Sequence, residues 1–404
     1  MPNHPTRDDI NFLDGFWYQH EPHDTWKWMR EKAPVYYDAN SDVWGITRYH
    51  DILAVEKDPK TFSSYRSPRP HGNPLPMMIS MDDPMHKQRR KLVNRGFTPK
   101  RVRDRSAEVV AICDEILDKV CERGECDFVW DIAAPLPLIL IGDMLGFPRE
   151  SYGDLLEWSD DMIRATTETD PVAMEKGMMA GIAFREFQLE VIADRRSRPP
   201  QSDLVSVLCH AEVDGERLDD ESLVQESLLI LIGGDETTRH VISGGMLALM
   251  EHPDQQALLN QRAANGDWMD GAVEEMLRWV TPIKNMSRSA ARDVEMHGET
   301  IGEGDQIILL YPSANRDEAV FDDPFKFDLE RAPNHHLAFG WGTHFCLGSS
   351  LARLELKIMF QRLAERMPDM QLASEDPLPF RASNFIVGPE GMPVAFTPSA
   401  PVGA

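Results

Sequence analysis

The stretch Phe339-Gly340-Trp341-Gly342-Thr343-His344-Phe345-Cys346-Leu347-Gly348 constrains this chain more than any other. It sets one cysteine in a glycine-framed loop directly ahead of an apolar run. Leu347, Leu351, Leu354, Ile358 and Leu363 recur on one helical face, so Cys346 is expected at the N-terminus of an amphipathic helix. Unpaired backbone N–H groups at such an end favour a thiolate and are expected to lower the thiol's pKa. Gly342 and Gly348 let the backbone turn sharply and allow a flat ligand to come close. The plainer reading of Cys346 is a small buried hydrophobe.

Cysteine usage bears directly on that choice. The five are Cys113, Cys121, Cys126, Cys209 and Cys346, an odd number without repeating spacing, which argues against a disulfide framework and for a reducing compartment. Cys121 and Cys126 lack the further cysteines of an iron–sulfur pattern and are read as ordinary thiols. The first twenty residues include Arg7, Asp8, Asp9 and Asp14, too polar for a signal peptide or membrane anchor, so a cytoplasmic protein is expected. Lys and Arg total 42 against 67 Asp and Glu, and 42 − 67 gives a net charge of −25. Such a surface disfavours nucleic acid and anionic membrane. The 404 residues, 42% hydrophobic and 27% charged, suit a globular enzyme.

The chain is expected to be mostly α with a minor β part. Val35-Tyr36-Tyr37 and Val43-Trp44-Gly45-Ile46 flank a turn cluster and predict a hairpin. Residues 67–76, with four prolines, must be loop. Met77, Met78, Ile79 and Met81 follow, thioethers suited to an irregular apolar ligand or to packing on the core. Asp82 or Asp83 is expected to cap a helix with Pro84 in its first turn, on which His86 and Arg90 share a face. From Lys87 to Arg105 there are nine Lys or Arg and only Asp104 opposing them. Residues 106–194 read as successive helices ending at an exposed break, Arg195-Arg196-Ser197-Arg198-Pro199-Pro200.

Ser222 to about Met250 is the longest helical candidate, apolar over more than one stripe and therefore buried. Its interior holds Gly233-Gly234-Asp235-Glu236-Thr237-Thr238. Two adjacent glycines there cost about 1 kcal/mol each relative to Ala. Close helix packing or a bulged turn with room for a small ligand could compensate. Later, Glu275 and Arg278 sit three apart on a helix, Val280 to Met286 leaves it in extended form, and the tail from Thr397 is expected to fray.

The cysteine loop resembles that of the cytochrome P-450 monooxygenases: Phe339, Gly342, His344, Cys346 and Gly348 meet every fixed position of the pattern. Three further segments agree in order and type, namely His86 with Arg90, the Gly-Gly-Asp-Glu-Thr-Thr helix, and Glu275-x-x-Arg278. The resemblance extends over nearly the whole chain and implies one domain, residues 1–404, with the P-450 fold, a helical prism around a buried heme b. It implies axial thiolate ligation of the iron by Cys346, which favours O–O cleavage, with O₂ as co-substrate. Phe339, Gly340, Leu347 and Gly348 would frame the heme, and His86, Arg90, Arg288 and His344 would bind its propionates. Glu236 and Thr237 would manage protons beside the dioxygen site. Glu275, Arg278 and Arg331 would form a structural ion-pair network.

The resemblance also implies partners. A ferredoxin, reduced by an NAD(P)H ferredoxin reductase, would dock near the basic run from Lys87 to Arg105. The segments 231–240, 283–286 and 336–340 look like those of actinobacterial hydroxylases that oxidise the terminal methyl of the cholesterol or cholest-4-en-3-one side chain to alcohol and acid. Met78, Ile79, Met81, Ile232, Gly233, Ile283, Met286 and Phe385 are the expected substrate contacts. A fatty acid, terpenoid or macrolide would suit the same lining, and a peroxygenase or a non-catalytic heme sensor are the rival activities.

Overall fold

The computed structural model describes residues 3–166, 170–213 and 216–403, and a helix from Asp220 to Glu251 runs through its middle. The Asp219 carboxylate caps this helix by accepting from the Ser222 N–H at 2.7 Å, with Asp220 and Glu221 in the first turn completing a favourable N-terminal charge. It ends at His252, ahead of Pro253, which starts the next helix. At 32 residues it crosses two separate apolar cores. Its first half (Leu223, Val224, Ile230, Leu231) packs with Ile141, Phe184, Ile192 and Leu208. Its second half (Val241, Ile242, Met246, Leu249) packs with Phe128, Leu140, Met276 and Phe360. Residues 232–238 occupy the seam, and the cavity opens there.

Helices Ser106–Asp118, Pro135–Leu145, Tyr152–Ala165 and Pro171–Ser197 bear out the helical reading of that region. The last one runs through Arg195 and Arg196, so the break begins at Arg198. Phe128–Leu145 is apolar enough to span a bilayer by composition but is 72% buried within the fold. The hairpin Val35–Asp38 with Val43–Ile46 is present and antiparallel. It belongs to a five-stranded sheet that continues through Gln306–Leu310 and Asn285–Ala290 to Phe62–Ser63. Leu309 pairs with Met286 and Ile307 with Arg288, which presents the strand carrying Arg288 to the cavity.

Behind the cysteine loop, Glu275 and Arg278 form a bidentate pair at 2.7 Å for both bonds, each side chain 0% exposed. Arg331 is the third member, its Nε 3.2 Å from Glu275. Asn334 Nδ2 and the Asp328 N–H also donate to that carboxylate, at 3.0 and 2.9 Å.

Two local expectations fail. Neither Asp82 nor Asp83 caps the helix Met85–Val93, whose start has no side-chain cap. Asp82 instead accepts from the Ser63 hydroxyl and the Ser64 N–H, tying the sheet edge to this segment, while Asp83 pairs with Lys87 at 2.7 Å. The tail does not fray: Asp369 accepts from the Thr397 N–H and hydroxyl, and Asp118 accepts from the Val402 and Gly403 N–H groups. These carboxylates lie 28 or more residues away in sequence, which is why local composition did not reveal them.

Candidate active site

Cys346 sits two residues before Gly348, the N-cap of helix Ser349–Arg366. Its N–H donates to the Phe339 carbonyl at 2.9 Å, closing the loop onto itself. Gly340 and Gly342 have positive φ (64° and 71°), and both pack on Glu56. A Cβ at Gly342 would stand 2.3 Å from the Glu56 carbonyl oxygen, and one at Gly340 would stand 3.1 Å from its Oε1. Conformation and close approach therefore both demand glycine there.

The thiol's pKa corrects the sequence expectation. Burial pushes Cys346 up from its ordinary value, and the N–H groups of Gly348 and Ser349, with Arg90 and Arg353, only partly oppose it. The helix end acts in the expected sense, but desolvation outweighs it.

Three basic side chains reach this loop from two elements, and the loop itself supplies a fourth, His344. Arg90, on helix Met85–Val93, donates to the carbonyls of Thr343 and Phe345. His86, one turn earlier, is buried, meets the Thr343 hydroxyl at 3.1 Å and stacks on the His344 ring at 4.1 Å. Arg288 comes from strand Asn285–Ala290 and lies 3.6 Å from Glu56. Burial, then Arg288, His86 and Arg90, hold the His344 imidazole neutral. Its Nε2 is buried without a partner. Two guanidinium groups, Arg90 and Arg288, with two imidazoles beside them suit a dianionic ligand.

These groups line one cavity of about 800 Å³, together with Phe339, Gly340, Leu347 and Gly348. Its opposite wall comes from the central helix through Ile232, Gly233, Thr237 and Thr238. Met78, Ile79, Ile283, Met286 and Phe385 line it as expected. Met81 does not; it is buried in the core with Leu92 and Phe97. The two glycines divide the roles foreseen for them. A Cβ at Gly234 would come within 2.9 Å of Ile141, so that glycine serves helix packing. Gly233 faces open space, and the helix continues through it without a bulge. Thr237 Oγ1 donates back to the Gly233 carbonyl at 2.9 Å, which keeps the hydroxyl at the cavity wall.

Glu236 behaves differently. It is fully buried and turned away from the cavity, with Arg239 at 2.6 Å and Arg381 at 3.3 Å. Both arginines also meet Asp160, which pairs with Arg164, and Arg164 reaches Glu390. Asp160 and Glu390 are part-exposed, so the network connects Glu236 with the surface.

Several site residues had no signal in the linear order. Arg69, in the proline-rich loop, donates to Asn285 Oδ1 at 2.6 Å and the Asn384 carbonyl at 3.0 Å, and lies over the Phe385 ring. Glu56 accepts from the Tyr311 hydroxyl at 2.8 Å beside Arg288, and burial pushes its carboxyl up to about 7. Each depends on partners hundreds of residues away.

The cysteine in its glycine loop and the basic side chains beside it face one cavity, and the chain belongs to the cytochrome P450 family, whose model matches residues 10–367. It is 50% identical over 398 residues to the steroid C26-monooxygenase of Mycobacterium tuberculosis, covering 98% of this chain and 99% of that one. The steroid C26-monooxygenase of Mycolicibacterium smegmatis is 49% identical over 399 residues, covering 98% of each. Among solved structures, CYP109E1 from Bacillus megaterium in complex with testosterone matches with a TM-score of 0.85 at 32% identity, covering 94% of this chain and 98% of that one.

The family consists of heme-thiolate monooxygenases that use heme b and O₂. The residues present fit that cofactor. Cys346 faces the cavity, Gly348 has no neighbour that a flat ring would displace, and the orphaned His344 nitrogen lies among the cations that two propionates would neutralise.

Proposed function

We propose that this chain hydroxylates the terminal methyl of the side chain of cholesterol or cholest-4-en-3-one and oxidises it onward to the acid, with O₂ and electrons from a ferredoxin. The near-half identity to steroid C26-monooxygenases over 98% of the chain carries the reading. A largely apolar cavity of about 800 Å³, with Met77, Met78 and Met286 in its wall, supports it.

When bound, heme b would supply dioxygen activation, and the Cys346 sulfur would hold its iron. Arg90, Arg288, His86 and His344 would hold its propionates against the cysteine loop. Met78, Ile79, Ile232, Ile283, Met286 and Phe385 exclude water and hold the hydrocarbon with its methyl end toward the Cys346 side of the cavity. Gly233 leaves room beside the Thr237 hydroxyl, which donates to the Gly233 carbonyl and keeps its lone pairs free to accept from a water there. Glu236, anchored by Arg239 and Arg381, is the buried carboxylate that would hold a proton at Oε1 or Oε2 for delivery on the Thr237 side.

Electrons enter from the side of the cysteine loop that Arg90 reaches. Lys91, Arg95, Lys100, Arg101 and Arg103 are exposed, forming a basic surface on an otherwise acidic protein, while Arg90 runs inward from it to the cysteine loop. An acidic ferredoxin, itself reduced by an NAD(P)H-dependent reductase, docks on that surface. Five free cysteines and the burial of Phe128–Leu145 support a cytoplasmic enzyme.

Optical titration of the heme-loaded enzyme tests the substrate. A low-to-high-spin shift with cholest-4-en-3-one and none with fatty acids is expected, and the reverse would overturn the assignment. Turnover with ferredoxin, reductase and NADPH, set against peroxide alone, separates the monooxygenase from a peroxygenase.

A further inference from the structure

One buried acid outside the site described above is placed to control the shape of the cavity. Glu226, on the central helix, is 0% exposed. Its Oε1 accepts from the Met78 N–H at 2.8 Å and from Arg89 Nη1 at 3.2 Å, and its Oε2 has no partner. One carboxylate thus joins three elements: the central helix, the helix Met85–Val93 and the single turn Met78–Ser80. That turn has no side-chain cap of its own, so its leading N–H depends on Glu226.

The energetics argue against a purely stabilising part. A fully buried carboxylate with one free oxygen is costly, and an apolar side chain of similar volume would pack there at lower cost. What the carboxylate holds is the cavity wall. Met77, Met78 and Ile79 line the cavity from the turn, Gln225, Leu228 and Leu229 line it from the helix, and Glu226 lies behind both.

We propose that Glu226 is a positioning residue for substrate selection, which fixes the wall formed by residues 77–79 by fastening the Met78–Ser80 turn and Arg89 to the central helix. The inference rests on reading the cavity as a sterol site and adds a residue that touches no substrate.

Burial pushes the Glu226 carboxyl up to about 7, against the pull of Arg89 and the Met78 N–H. Arg89 is the one charged group set against it from a neighbouring element among the described residues, and Asp219 at the helix start also feels Arg89. Above that pH the turn is held by a charged acceptor; below it the acid is neutral and the pairing with Arg89 is lost. The wall therefore loosens as pH falls through about 7.

The test compares heme-loaded wild type with Glu226→Gln, which keeps an acceptor but not the charge, and Glu226→Leu, which keeps neither. Spin-shift titration with cholest-4-en-3-one should show affinity weakened by about tenfold in the Gln variant and further in the Leu variant. Imidazole, a small heme ligand that does not reach the wall, should bind all three alike. Wild-type sterol affinity should fall on the acid side of about 7, and the Gln variant should depend on pH less steeply there, with Glu56 left to titrate at the cavity. Amide exchange over residues 77–81, measured without substrate, should quicken in both variants and stay unchanged at the cysteine loop.

Unchanged exchange at residues 77–81, a Gln variant with the wild-type pH profile, or a parallel loss of imidazole binding would overturn the proposal. A wild type that shows no sterol shift at all would instead sink the sterol reading, and the exchange measurement would still decide the part of Glu226. Should Glu226→Leu fail to fold, Glu226→Gln alone carries both readouts.

Discussion

At the scale of single residues, two adjacent glycines separate what a helix needs from what a site needs. Gly234 has Ile141 2.9 Å from where a Cβ would lie, so Gly234→Ala should overpack the helix interface and cost about 1–3 kcal/mol. Gly233 faces open space, so Gly233→Ala should instead raise stability by up to about 1 kcal/mol while narrowing the cavity beside Thr237. Thermal unfolding of the pair should move in opposite directions; a shift of the same sign in both would contradict the packing assigned to them. Thr237→Ala removes the hydroxyl that bonds the Gly233 carbonyl. Electron consumption should then outrun product formation, and retained coupling would remove Thr237 from the proton path. Cys346→Ser should abolish the absorption signature of a thiolate-ligated, CO-bound reduced heme.

At the scale of elements, the buried Glu275 carboxylate is the joint between helix Gly266–Val280 and the segment leading into the cysteine loop. It collects Arg278, Arg331, Asn334 and the Asp328 N–H, while Arg278 also donates to the carbonyls of Asn315, Pro324 and Lys326. An exposed pair at this spacing would be worth a few tenths of a kcal/mol. Full burial changes the scale: removing one partner strands the other charge. Arg278→Leu should therefore cost about 3–5 kcal/mol and loosen heme retention, which chemical denaturation and heme-transfer rates would measure. A loss below about 1 kcal/mol would show that the clamp is dispensable.

On the scale of the whole molecule, charge is unevenly distributed. A chain of net charge −25 keeps an exposed basic face beside the cysteine loop. Reversing two of its charges, Lys91→Glu with Arg101→Glu, should slow reduction by ferredoxin and flatten the dependence of that rate on ionic strength, with sterol binding unaffected. Inside, burial pushes three carboxyls, Glu56, Glu226 and Asp235, up to about 7. The folded state then binds more protons than the unfolded state between about 4 and about 7. Their contribution to stability is largest at the acid end of that window and declines as pH rises through it. Glu226→Gln should remove its share of that slope, as read from unfolding midpoints across the window.

Much of the fold and site was legible in the linear order because the signals are local. The Phe339 to Gly348 loop, the 3.6-residue apolar spacing after it, the long helix around Gly233 and the pair Glu275 with Arg278 all act within a few residues. Such spacing dictates which side chains share a face, and the resemblance carried by these motifs implied the places of Thr237, Arg288, His86 and Arg90 at the cavity. Tertiary structure alone decided which way a buried polar group turns and what desolvation does to it. Glu236 points to Arg239 and Arg381 rather than into the cavity, Asp82 serves the sheet edge rather than the helix start, and Met81 joins the core. Cys346 is raised by burial despite its place at a helix end. Arg69, Glu56 and Glu226 acquire their parts only through partners brought from far along the chain. The reason is physical: backbone periodicity is a property of neighbours in sequence, whereas the cost of burying a charge is set by whatever the fold packs around it.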